Sequence, residues 1–103
     1  MYQIVLCTCP THEDAKAIAH HLVANKFAAC VNIIPQITSV YAWQGEVHEA
    51  CEHQLLIKTL VSQVEELTQA IEKLHPYDVP EIIAINIDGG NQAYLNWISE
   101  SLK

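Results

Sequence analysis

The sequence contains no arginine: its five cationic side chains are all lysine, set against twelve Asp and Glu, for a net charge of −7. Arginine is the residue that grips phosphate bidentately, and nucleic acids are held chiefly through their phosphates. A nucleic-acid partner is therefore excluded, and a nucleotide polyphosphate site is disfavoured. A field of this sign draws cations. No run approaches the roughly 18 apolar residues of a membrane span. The N-terminus, MYQIVLCTCP, lacks a basic n-region and reads as a strand, so no signal peptide and a cytoplasmic location are expected. No pair among Cys7, Cys9, Cys30 and Cys51 forms the CxxC…CxxC arrangement of a structural zinc site. In a cytosolic chain a disulfide framework is not expected either. Glycine is scarce, with Gly45, Gly89 and Gly90 alone. No glycine-bearing oxyanion loop accompanies the nucleophile, base and orienter that Cys7, His75 and Asp78 could form, and the chain is read as non-enzymatic.

Half of the 103 residues are hydrophobic. That is high for a small soluble monomer and fits a surface buried between copies. One domain, residues 1–103, is expected. Its centre is Ala28 to Thr59, two long β-prone runs around a tight turn at Gln44-Gly45-Glu46. Each arm spans a dozen residues or more, against about 5–6 for a usual strand. A chain this short cannot cover such a ribbon alone, so other copies of itself are the expected cover.

In chain order, Tyr2 to Cys9 reads as a strand, with Ile4-Val5-Leu6 a continuous apolar run. Thr11 caps a helix in which Ala15, Ile18, Ala19 and Leu22 form one stripe. Ala28 to Tyr41 is the second strand, with Pro35 marking a bend or bulge. Glu46 to Thr59 is the third. Ser62 and Glu65 form a capping box for a second helix with Val64, Leu67, Ile71 and Leu74 inward. Two prolines stiffen His75–Pro80. Glu81 to Ile87 is the fourth strand, and Asn91 caps a last helix with Tyr94, Leu95, Ile98 and Leu102 on one side. The order βαββαβα implies an α+β, ferredoxin-like sandwich with an extra C-terminal helix. One helical layer leaves the other sheet face bare, a second argument for oligomerisation.

Connectivity also locates a site. If the first strand runs upward, then Cys7, Cys9, His12, the hairpin tip and His75 through Glu81 all lie at the top. Thiols, an imidazole and carboxylates meeting there suit copper or zinc. The candidates are Cys7 or Cys9, His75, and Asp78 or Glu81. Each has a plainer reading. Cysteine packs as a small hydrophobe, which suits Cys30 and Cys51 best and competes evenly for Cys7 and Cys9. His75 equally suits the end of the second helix. Glu46, His48 and Glu52 share a strand face and read as an exposed polar rim. Tyr77, Trp43 and Trp97 read as packing anchors.

The segments AACVNIIPQITSVYAWQGEV, LLIKT and HPYDVPEIIAI, with IVLCTCP before and YLNWI after, resemble the CutA family of divalent-cation tolerance proteins. The resemblance covers essentially the whole chain. It implies a homotrimer whose long hairpins pair between subunits, and a role in tolerance to copper and other divalent metals. By resemblance, Cys7 matches the family's metal-binding cysteine and His75 its histidine before Pro-Tyr. Some members carry a second histidine where this chain has Leu74, and Asp78 stands where Glu is common. The reading that follows is a trimeric copper-binding protein, with Cys7 and His75 as ligands and Cys9, Asp78 and Glu81 as possible additions. Its alternative is a trimeric regulatory module, resembling the PII proteins, that binds a small metabolite between subunits.

Overall fold

A computed structural model describes the whole chain, Met1–Lys103. Four strands, β1 (Tyr2–Cys9), β2 (Cys30–Trp43), β3 (Glu46–Leu60) and β4 (Ile83–Asn86), form one antiparallel sheet in the order β2-β3-β1-β4. The helices α1 (His12–Ala24), α2 (Val64–Leu74) and α3 (Gln92–Ser101) complete the expected βαββαβα order.

Alternation along β1 and β3 decides which face is covered. Val5, Cys7 and Cys9 share a face with Leu55 and Ile57. They pack against Ala15, Ile18 and Leu22 of α1 and Leu67, Ala70 and Ile71 of α2. The stripe expected on α1 is the buried one. Thr11 caps that helix as its sequence predicts, accepting from the Asp14 amide at 3.0 Å and donating to the Asp14 carboxylate at 2.9 Å. The helix closes with Lys26 at φ 61°. The amides of Phe27 and Ala28 then turn back to the Leu22 carbonyl at 2.9 and 3.2 Å. Those bonds hold Ala28 out of β2, which begins at Cys30 rather than Ala28.

The hairpin closes through Gln44 and Gly45 at φ 51° and 80°, left-handed at both central positions as a two-residue turn matching strand twist requires. Its register breaks between Ile34 and Ile37, where Gln36 sits at φ 57° and its amide reaches His53 Nδ1 at 3.4 Å. Pro35, which has no amide to give, marks that bulge. Cys9 of β1 pairs with His53, so the outer hairpin beyond this level has no third strand beside it.

Three expectations are corrected. Ser62 is not the cap of α2: it lies in a 3₁₀ turn, Val61–Gln63, and no side chain caps the helix. Leu74 is 44 % exposed, because the helix ends there and the chain turns away at His75. Tyr94 lies outside the buried stripe of α3; Leu95 and Ile98 pack with Ala29 while Tyr94 lies tilted against Trp97, ring centroids 5.5 Å apart.

Candidate metal centre

β1 ends at the top of the sheet, and its alternation sends Cys7 and Cys9 to the helix-covered face, both fully buried. α2 delivers His75 to the same place. The ring is held at both nitrogens: Nε2 lies 2.7 Å from the Thr8 carbonyl, and Nδ1 takes the Tyr77 amide at 3.1 Å. A carbonyl only accepts and an amide only donates, so Nε2 carries the proton and Nδ1 the lone pair. The donor atoms of Cys7, Cys9 and His75 all lie within 4.8 Å of one another.

The two thiols are not equivalent. The neighbouring Cys9 sulfur first, then burial and the Glu81 and Glu52 carboxylates, hold the Cys7 thiol well above its ordinary range, while Cys7 Sγ lies 3.9 Å from the Thr8 carbonyl. Cys9, beside Cys7, is pulled below its ordinary value, against burial and against Asp14 and Glu52.

Two thiolates and an imidazole are the donor set of a soft or borderline ion. A tetrahedral ion with bonds of about 2.0–2.3 Å needs donors roughly 3.3–3.8 Å apart, so the cluster would tighten around it. The Nε2–H bond to the Thr8 carbonyl fixes the orientation of the ring beside the two thiols.

Asp78 and Glu81 are not members of this cluster. They line an adjacent cavity of about 770 Å³, together with Thr8, Tyr41, Trp43 and Glu52 among others. Glu52 is a correction. It is 7 % exposed rather than part of an open rim, and its carboxylate accepts the Tyr77 hydroxyl at 2.7 Å. Its place just beyond the last β1–β3 pair, Cys9 with His53, turns it under the His75–Pro80 loop. Glu46 and His48 are on the surface, 3.9 Å apart. Cys51 is exposed rather than packed, whereas Cys30 is half-buried.

The sequence profile of the CutA1 divalent ion tolerance protein family matches residues 3–101. The chain belongs to that family. The divalent-cation tolerance protein CutA of Thermus thermophilus is 48 % identical over 98 % of this chain and 98 % of its own length. A CutA homolog from Xenopus laevis is 50 % identical over 90 % of this chain, which spans 62 % of that protein. The solved Thermus structure superposes with a TM-score of 0.98 at 48 % identity, covering 100 % of both chains. The structure of the periplasmic divalent cation tolerance protein CutA from Archaeoglobus fulgidus gives 0.97 at 36 % identity, again over 100 % of both. The CutA family is named for tolerance to divalent ions, which ties this fold to metal. No helix here is long and apolar enough to cross a membrane.

Proposed function

We propose that the chain assembles as a homotrimer that binds copper, or a comparable ion such as zinc, in a metal-tolerance role without catalysis. Cys7 and His75 are the ligands and Cys9 is the third. The observation that carries this reading is the convergence of those three buried donor atoms within 4.8 Å. The acidic surface, −7 overall, would concentrate cations around the protein. Asp78 and Glu81 would act on the ion through charge from the neighbouring cavity. Free thiols of this kind suit a reducing, cytoplasmic setting.

The test is a copper titration, with Cu(I) under anaerobic reductant and Cu(II) separately. It uses wild type, Cys7→Ser and His75→Ala, each first shown by light scattering to keep its assembly. Saturable binding that is lost in both variants is expected. Binding that survives both, or none in the wild type, overturns the site.

A further inference from the structure

Cys7, Cys9 and His75 are all buried, and a centre that exchanges ions with water needs a way in. Most of what surrounds the thiols is firmly held. β1 pairs with β3 over its whole length, and α1 and α2 pack their apolar stripes into the core. The segment after α2 is different. From Pro76 to Glu81 the chain joins no helix or strand and makes no backbone-to-backbone hydrogen bond. Pro76, Asp78 and Val79 are exposed, Val79 at 88 %, so lifting them returns little apolar surface to water.

Tyr77 fastens this segment. Its hydroxyl donates to the buried Glu52 carboxylate on β3 at 2.7 Å, and its amide donates to His75 Nδ1 at 3.1 Å. Its ring lies against the His75 ring, with centroids 4.8 Å apart. No other residue from Pro76 to Glu81 makes a hydrogen bond. A bond to a carboxylate is charge-assisted and stronger than a neutral one. One strong anchor thus holds a stretch that is otherwise loosely attached.

We propose that residues 76–81 form a lid over the thiol cluster, and that the hydrogen bond from Tyr77 to Glu52 is its latch. Prolines at 76 and 80 restrict the backbone near both ends, so the segment moves as one flap. When the latch opens, Tyr77 leaves the His75 ring and solvent reaches the thiols behind it. The latch also governs the imidazole. With Nε2–H on the Thr8 carbonyl and Nδ1 on the Tyr77 amide, the neutral ring has no nitrogen to spare. Nδ1 is freed only when the amide leaves. A ring that offered Nε2 instead would carry its proton on Nδ1, where an N–H cannot donate. Tyr77 is therefore a positioning residue, acting through His75 on how fast the site opens. The lid takes its purpose from the metal reading, but it is tested without metal, so the two fail separately.

Iodoacetamide alkylation of the assembled, metal-free protein tests it, with label at each cysteine followed by mass spectrometry. Tyr77→Phe keeps the ring and the amide and removes only the latch. Labelling of Cys7 and Cys9 should quicken about tenfold or more in that variant, as expected for a lost hydrogen bond to a charged group. The rate should stay flat in dilute urea, because a local opening exposes little surface. Labelling of Cys51, already exposed, should not change. Hydrogen exchange on wild type keeps the test decisive if Tyr77→Phe fails to assemble. There the Tyr77 amide should exchange independently of urea and ahead of the Leu67 and Ile71 amides of α2. Equal labelling of Cys7 and Cys9 in wild type and variant overturns the lid, as would follow if a neighbouring subunit pinned the loop. So does labelling that rises with urea as steeply as global unfolding, or a Tyr77 amide that exchanges only with those of α2.

Discussion

Tyr77 joins the two halves of the functional end: its amide holds His75 Nδ1 and its hydroxyl holds Glu52. Burial first, and then the Glu52 carboxylate, push its phenol above the ordinary range. A folded value raised above the unfolded one stabilises fully below about pH 10, and that stabilisation fades as pH climbs through the folded value. Tyr94 is also held high, by burial and by Cys30. An absorbance titration of tyrosinate should therefore show a late phase to which Tyr77 and Tyr94 contribute, and Tyr77→Phe should shrink it. An unchanged late phase in that variant would contradict the Glu52 contact. Cys7 makes a second prediction of sign. Its retained proton must leave when a metal enters, so zinc affinity should rise with pH between about 6 and 8. Titrations in buffers of different ionisation enthalpy should count one proton fewer for Cys7→Ser.

At the scale of elements, two local devices set the geometry. Thr11 satisfies an amide that would otherwise be orphaned at the start of α1, and Thr11→Ala should cost about 1 kcal/mol by denaturant unfolding. Gln36 pays for the bulge with a left-handed backbone, so Gln36→Gly should stabilise by about 0.5–1 kcal/mol. Loss of stability in that variant would mean that the His53 contact outweighs the strain. These elements also show what the sequence reveals. Ala15, Ile18, Ala19 and Leu22 declare their face through a 3.6-residue period, and the cap, the turn and the Pro35 bulge each rest on nearby residues. The convergence of Cys7, Cys9 and His75 follows from strand order. Glu52 was hidden for the opposite reason. Its burial depends on the register shift after Ile34 and on a loop 25 residues away that brings Tyr77 over it. Ser62 and Glu65 have the spacing of a capping box, yet the 3₁₀ turn that ends β3 takes the cap position first.

The whole molecule carries more apolar surface than one chain can hide. The sheet face away from α1 and α2 shows Ile83 and Ile85 half exposed, and the overhanging hairpin shows Val40, Trp43 and Val47 at 62–77 %. β2 and β4 are the sheet edges, and β2 leaves a 14-residue ladder side unpaired. A long apolar edge of this kind is a template for another chain, and the proposed trimer uses it. Two measurements follow from mass action. If folding and assembly are coupled, Tm should climb as protein concentration rises, because association draws on the folded state alone. Ile85→Asp places a charge on the open face at the Ile4 pair, away from both the thiol cluster and the carboxylate cavity. Light scattering should then report a smaller species with a lower Tm. A trimer that forms unchanged with aspartate at residue 85 would show that this face stays in water, and would move the subunit contacts to the hairpin alone.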